Sequence, residues 1–426
     1  LVGLARVDVT PSYPIRLSGY AARSTESTGV LAHIYVRALA LSGPRETPAV
    51  LLSVENCGVP GHLRDEVAQR LKKKIRLKSE RFSVCSTHTH SAPLLSGYLG
   101  NLFGGPLPAG QQERVERYTR EMADAMEQAA LQAVADLKPG NLTYTRSRAN
   151  FAANRRSPPG PVDHDLPALF ITDEQGNVRG VWASYACHCT TMTSAYNVVC
   201  GDWAGFAMSE LEKEYPGAVA LITIGCGGDS NPNPRPGEEL ARGHAQNLVT
   251  NVVSAWRNGG TAVEGKLVCK ARKIELAYDT IPARAEYEKR LTQVTNETSK
   301  FVAAHARLQL ARLDAGEALP RKLDYCVQTW VLGKDLAIVF LGGEVVSDYS
   351  LRLKRELDGQ RLWVNAYAND VPCYIPSERV LSEGGYEGGF AMIYYDRPTR
   401  FAPGLEDRII GGTHKMLPAE FKAGLK

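Results

Sequence analysis

The chain has 426 residues, 44% of them hydrophobic, with 50 Lys and Arg against 46 Asp and Glu. That length and apolar content suit one large α/β domain or two to three smaller ones, and they argue against a disordered chain. A formal charge of +4 spread through the sequence argues against a nucleic-acid binder. No stretch approaches the roughly 18 apolar residues of a membrane span.

Residues 3 to 10 alternate as a strand and stop at Pro11. Gly19-Tyr20 and Gly29-Val30 bracket a polar loop, after which Ala32 to Leu41 resumes the strand pattern. A βα unit follows, with a strand over 49–55 and an amphipathic helix from about Leu63. The cluster Lys72-Lys73-Lys74-Ile75-Arg76-Leu77-Lys78 ends that helix, where cations complement the dipole, and reads as a solvated helix end. The run Phe82-Ser83-Val84-Cys85 then reads as a buried strand leading into Ser86-Thr87-His88-Thr89-His90-Ser91-Ala92-Pro93. If the strand continues into this motif, a period of two puts His88 and His90 on one face. Two imidazoles at a strand end suit metal binding or proton transfer.

The Gly-, Pro- and Leu-rich stretch from Tyr98 to Gly110 is a loop placed to wall a pocket. Val115, Tyr118, Met122, Met126, Ala129, Ala133 and Leu137 fall at helical spacing before Pro139-Gly140. Asn154-Arg155-Arg156 lies in an irregular segment, where a guanidinium is either solvated or clamps a carbonyl or carboxylate. The segment from Val181 to Thr190 is a strand delivering His188, with Cys187 and Cys189 pointing the other way as packed thiols. The strand Ala218 to Ile224 opens into Gly225-Cys226-Gly227-Gly228-Asp229-Ser230-Asn231-Pro232, a turn whose N–H groups at Gly227, Gly228 and Asp229 suit substrate binding. It lacks the endings of nucleotide-binding loops.

Residues 283–315 read as one or two peripheral helices without chemistry, and Leu336 to Leu341 as a last buried strand tipped by Gly342-Gly343-Glu344. Leu362 to Tyr367 leads to Asp370 and Tyr374. The nine cysteines look like small buried residues more than a disulfide framework. The alternation of strands and helices predicts an α/β fold of mixed β-sheets flanked by helices, as one domain over 1–426. Chemistry-bearing residues at strand ends are where such folds bind ligands. Two neutral imidazoles and a carboxylate make a three-ligand site with an open position, the pattern of catalytic zinc.

At this point the chain resembles the neutral (non-lysosomal) ceramidase family. The resemblance runs from Val7-Asp8-Val9-Thr10 and Gly19-Tyr20 through Thr87-His88-Thr89-His90-Ser91, Asn154-Arg155, His188, Gly201-Asp202, Gly228-Asp229 and Gly343-Glu344 to Tyr374 and Tyr386-Glu387-Gly388. It implies that fold, and a Zn²⁺ held by His88, His188, Glu344 and Tyr374, with His90 and Arg155 beside the scissile group. It departs in two places. The family's turn reads Gly-Asp-x-Ser-Pro-Asn, with the serine as proposed nucleophile, and here Asn231 holds that position while Ser230 is one residue early. The family's C-terminal β-sandwich has no counterpart in this sequence.

The expected chemistry is therefore zinc-dependent hydrolysis of an amide or ester by activated water, with an N-acyl lipid or an acylated sugar as the acyl substrate. His90 is the expected general acid or base, Arg155, Tyr386 or the turn's N–H groups stabilise the oxyanion, and Asn231 orients substrate. If Ser230 reaches the metal, an acyl-enzyme route returns. Two alternatives stand beside this: a two-metal phosphoesterase using Asp202, Asp229 and Asp370, and a non-catalytic binding protein on the same scaffold. His33, His62, His164, His244, His305 and His414 read as packing or surface residues, and Glu55-Asn56 as a hydrogen-bonded strand-end pair. The start at Leu1 leaves a secreted or periplasmic origin, with a signal segment removed, and a cytoplasmic one both open. Oligomeric state is open as well.

Overall fold

In the computed structural model, residues 1–43 and 45–422 are described; Pro44 and the last four residues of the expected 1–426 domain lie outside the described residues. Three sheets carry the fold. The first runs Val2–Asp8, Tyr35–Leu41, Ala49–Val54, Phe82–Ser86, with the last pair parallel. The second runs Val219–Ile224, Val178–Tyr185, Asp165–Thr172, Asn141–Arg148, Thr261–Ala262, and its first pair is parallel. The third runs Leu267–Ala277, Lys322–Leu332, Leu336–Leu341, Leu362–Asn365, again with the last pair parallel. This is a mixed α/β architecture.

The strands near the middle of each sheet are continuous apolar runs, as expected where both faces are covered. One buried cluster joins all three sheets through Leu39, Leu51, Leu169, Trp182, Trp330 and Trp363. The Trp182 and Trp363 rings pack with centroids 4.3 Å apart, and each indole N–H is satisfied, on Thr223 and Asn365. Helices cover the outer faces; Ala109–Ala135 lies along the first sheet and Asp202–Glu214 packs with Glu238–Arg257 beside the second. The helix Gly61–Ile75 ends in Lys72, Lys73 and Lys74, with Arg76 as a left-handed cap. No helix among the described residues is long and apolar enough to cross a membrane.

Two local expectations need correction. The strand before His88 stops at Ser86, and His88 itself adopts a left-handed φ of 58°. The two histidines converge through that kink and not through strand alternation. Glu55 and Asn56 do not pair with each other: Glu55 forms a buried ion pair with Arg37, and Asn56 donates to the Pro93 carbonyl at 2.9 Å. The helices Arg284–Thr292 and Glu297–Asp314 have a small core of their own around Tyr287, Ala306 and Leu310. They are also structurally engaged: Tyr287 donates to the Pro398 carbonyl at 3.1 Å, Gln309 to Asp396 at 2.6 Å, and Phe301 packs on Tyr394. They brace the segment that carries Tyr395. All nine cysteines are free thiols.

The parallel pairs explain where the site lies. His88 follows Phe82–Ser86, His188 follows Val178–Tyr185, the glycine turn follows Val219–Ile224, and Glu344 follows Leu336–Leu341. Backbone hydrogen bonds stitch these ends together: Ser86 N to Tyr367 O (3.1 Å), Tyr367 N to Gly343 O (3.0 Å), Gly228 N to Val345 O (2.8 Å) and His188 N to Ser230 O (3.0 Å). Glu344–Val345 pairs in parallel with Tyr374–Ile375, which sets Tyr374 beside Glu344.

Candidate metal centre

His88, His188 and Glu344 come together, with a donor atom from each lying within 4.8 Å of the others. Glu344 Oε2 is 3.0 Å from His88 Nε2 and 3.1 Å from His188 Nε2. Neither contact has hydrogen-bond geometry, so this buried carboxylate oxygen makes no hydrogen bond. The other ring nitrogens are committed: His88 Nδ1 donates to the Cys57 carbonyl at 2.6 Å and His188 Nδ1 to the Gly227 carbonyl at 2.8 Å. Those bonds fix the tautomer and turn both Nε2 lone pairs inward, as in metal-ligating histidines. Tyr374 Oη lies 3.3 Å from His188 Nε2.

An orphaned buried carboxylate oxygen facing two inward lone pairs is costly unless a cation sits among them. Tetrahedral bonds of about 2.0–2.1 Å place ligand atoms about 3.3 Å apart. Separations of 3.0, 3.1 and 3.3 Å therefore fit a metal ion, and so does the chemistry of the donor set. The electrostatics agree. Burial opposes charge on every group, yet His88 and His188 hold the Glu344 carboxyl well below the usual carboxylate range. Burial alone would lower the pKa of His88, but the Glu344 carboxylate, with Cys57, overrides it and raises that pKa to about 10. Burial, then Arg155 and His88, push His188 down to about 4. The cluster attracts one positive charge to its centre.

The surrounding groups hold this arrangement. Tyr395 Oη donates a short hydrogen bond to Glu344 Oε1. Arg155 donates through Nη2 to Tyr374 Oη at 2.9 Å and to the Gly228 carbonyl at 3.0 Å, through Nε to Glu387 at 2.8 Å, and through Nη1 to Asn231 Oδ1 at 3.4 Å. Arg156 makes a second bond to Glu387, at 2.6 Å, so the adjacent arginines share one buried counter-ion. His90 Nε2 is 3.1 Å from His88 Nε2, and its Nδ1 is buried without a partner. Burial, then His88 and His188, hold His90 well below the ordinary imidazole pKa, which keeps it neutral. Gly19 sits with φ 86° so close that a Cβ would lie 2.4 Å from His90 Nδ1, and the Tyr20 ring meets His90 edge-on at 4.7 Å. That contact is the physical reason for a Gly-Tyr pair here. Tyr386 is 43% exposed and stands over Tyr374, with ring centroids 5.4 Å apart.

Two expected roles meet a different geometry. The turn at Gly227, Gly228 and Asp229 faces the site with carbonyls, because Gly227 O accepts from His188 and Gly228 O from Arg155, while Gly228 N is spent on Val345 O. The Asp229 carboxylate accepts from Asn154 Nδ2 at 3.0 Å and from Ser347 N at 2.8 Å. The turn therefore orients the His188 imidazole and a guanidinium, and these contacts leave no oxyanion hole at Gly228. A Cβ at Gly228 would lie 2.6 Å from the Glu344 carbonyl oxygen. Gly228→Ala is expected to cost about 1–3 kcal/mol of stability through overpacking and to lower metal content by displacing Glu344, which denaturant unfolding and elemental mass spectrometry measure.

Ser230 is not brought to the centre. Its side chain is fully buried, with Oγ 3.3 Å from Ser347 Oγ, and it does not line the cavity that Asn231 lines. The one-residue offset between Ser230 and Asn231 sends the hydroxyl to the far side of the short strand Ser230–Pro232. Ser230→Ala is expected to leave kcat/KM essentially unchanged and to cost about 1 kcal/mol of stability; an acyl-enzyme nucleophile at Ser230 would instead lose several orders of magnitude. The spare carboxylates are also in structural use: Asp202 accepts from Met192 N at 2.8 Å, and Asp370 from Gly61 N at 2.8 Å. That geometry does not favour a second ion. Of the other histidines, His244 and His305 donate to carbonyls at 2.8 Å, and His33 and His414 pair with carboxylates.

Sequence reasoning missed Tyr395, the Cys57 carbonyl, Arg23, which donates to the His90 carbonyl, and the counter-ion role of Glu387. Only Glu387 carried a signal: adjacent arginines near a buried site need a carboxylate partner.

A family profile described as "Neutral/alkaline non-lysosomal ceramidase, N-terminal" matches residues 1–310. The chain belongs to the neutral/alkaline ceramidase family. Among curated relatives, the neutral ceramidase of Drosophila pseudoobscura pseudoobscura is 24% identical over 356 residues, covering 76% of this chain and 49% of its own length. That of Drosophila melanogaster is 27% identical over 258 residues, covering 54% of this chain and 36% of its own. The chain thus spans half or less of the length of the curated relatives it matches. In solved structures, the neutral ceramidase of Pseudomonas aeruginosa superposes with a TM-score of 0.73 at 19% identity, over 99% of this chain and 75% of that one. At that identity the likeness speaks for the fold.

Proposed function

We propose that this protein is a zinc-dependent hydrolase of an amide bond in an N-acyl substrate, with esters as a secondary class. The observation that carries the reading is the convergence of His88 Nε2, His188 Nε2 and Glu344 Oε2 at 3.0–3.1 Å without hydrogen bonding among them. Tyr374 is the fourth ligand in this reading. Membership of the ceramidase family supports it.

A zinc ion held by His88, His188, Glu344 and Tyr374 would supply Lewis acidity toward an acyl carbonyl and toward water. The chain's own residues do the rest. His90, neutral and next to His88, accepts a proton from the attacking water and returns it to the leaving nitrogen. Arg155, clamped by Glu387 and the Gly228 carbonyl, holds a guanidinium where negative charge develops on the carbonyl oxygen. Tyr374 Oη accepts from Arg155 and is kept in line by it. Asn231, held by Thr190 at 3.2 Å, presents its amide to the cavity and orients substrate.

The test is metal content by elemental mass spectrometry, on the parent and on His188→Ala, alongside turnover on a panel of N-acyl amines and esters. About one zinc per chain, lost in the variant together with turnover, supports the reading. Zinc bound with no turnover on any member would favour the binding-protein alternative, and absence of zinc after supplementation would end the metal mechanism.

A further inference from the structure

Two cavities meet at His90 and Tyr374, and they differ in chemistry. The larger, about 650 Å³, is walled by Arg155, Arg156, Asn231, Arg235 and Glu387. The smaller, about 230 Å³, runs from Glu344 between Tyr98, Leu99, Leu102 and Tyr395. Resting on the reading above, we propose that the acyl group of the substrate enters the smaller cavity and is short, no longer than about six to eight carbons, while a polar amine portion occupies the larger.

The smaller cavity has limited capacity. A volume of 230 Å³ holds roughly seven groups the size of a water molecule, at about 30 Å³ each, and it is smaller than a pocket for a drug-sized ligand. Its floor is also fixed. Tyr98 Oη donates to the Cys57 carbonyl at 3.4 Å, Asn101 N to Tyr394 O at 3.0 Å, Asn101 Nδ2 to the Ile393 carbonyl at 3.1 Å, and Leu102 N to Leu99 O at 2.9 Å. Leu99 is held at a left-handed φ of 50°, a conformation leucine keeps only when its neighbours impose it. A loop tied at each of these points does not swing aside to lengthen the cavity. A long alkyl chain is not accommodated on the other side either. The larger cavity is lined by guanidinium and carboxylate groups, with Arg235 exposed at its rim, and an alkyl chain laid there would strip water from charges without replacing it. Those same groups suit hydroxyls and charges on the amine side.

The cavity is read without turnover by calorimetric titration of the zinc-loaded protein with straight-chain carboxylates from acetate to laurate, each below its micellar concentration. Affinity is expected to rise about fourfold per methylene to a maximum between butyrate and octanoate and to fall beyond it. Leu102→Ala is expected to move that maximum to longer chains; should the variant not fold, the parent series decides alone. Affinity climbing through laurate, affinity independent of chain length, or no carboxylate binding would each overturn the proposal. Turnover of N-acyl amines separates it from the function it rests on. A chain-length optimum with no hydrolysis of any amide removes the hydrolase and keeps the cavity's role. Hydrolysis that favours palmitoyl over butyryl amides removes the short-chain proposal alone.

Discussion

Glu344→Gln is expected to empty the centre of metal while leaving the fold in place. The carboxylate is 3% exposed, and among the described residues it is the only charge that both imidazoles face at hydrogen-bond distance. Glutamine keeps the volume and an oxygen for Tyr395, but its amide N–H groups would point at the two Nε2 lone pairs and satisfy them from within the protein. The variant replaces a cluster that attracts a cation by one that is already hydrogen-bonded. Zinc content should fall from about one per chain to near zero, and kcat/KM by at least about 10³-fold, or about 4 kcal/mol. The melting temperature of the metal-free variant should match or exceed that of the metal-free parent. A variant that still held stoichiometric zinc would show that Glu344 is not a ligand.

Arg155→Met is the second large effect. Its guanidinium reaches Glu387, the Gly228 carbonyl, Tyr374 and Asn231, so it fixes the proposed fourth ligand and the cavity side of the centre together. Loss of a preorganised donor at a developing oxyanion typically costs 10²- to 10³-fold in kcat, about 2.7–4 kcal/mol. Zinc content should hold, because His88, His188 and Glu344 keep their own supports in Cys57, Gly227 and Tyr395. Glu387 retains Arg156 at 2.6 Å, which limits the stability cost to about 1–3 kcal/mol. Arg155→Lys restores the charge without the fork and should recover less than tenfold. Steady-state kinetics and metal analysis on the same preparations check all three statements; unchanged kcat in Arg155→Met would remove the guanidinium from the chemistry.

The segments that deliver the site were legible because buried strands advertise themselves as apolar runs. Val219–Ile224 and Leu336–Leu341 are buried along nearly their whole length, and each ends in the glycines that precede a polar residue. What happens after the strand was less legible. The left-handed φ of His88 follows from the stitching of Ser86 to Tyr367 and of Thr87 to Val54, long-range contacts that no local pattern displays. The direction of peptide planes in the turn at Gly227 and Gly228 is likewise set by contact with Ala186 and Glu344, so its carbonyls face the site where N–H groups were expected. Tyr395 had no local signal at all. Its place beside Glu344 depends on the helices of residues 284–314 bracing the 390s, a contact made wholly through tertiary structure.

The positions of the proposed ligands along the chain bear on how the molecule comes apart. His88 and His188 follow strands of the first and second sheets, and Glu344 follows a strand of the third and pairs with Tyr374, so a cation bound among them would act as a cross-link between distant parts of one polypeptide. Closing long loops removes much conformational freedom from the opened chain, and the gain grows only slowly with further length. On the proposed reading, a chelator would therefore do more than silence chemistry. It would release the knot where three sheets meet, and the first opening of the metal-stripped protein should be the parting of those sheets at their shared ends, with each sheet's own hydrogen-bonded ladder still closed.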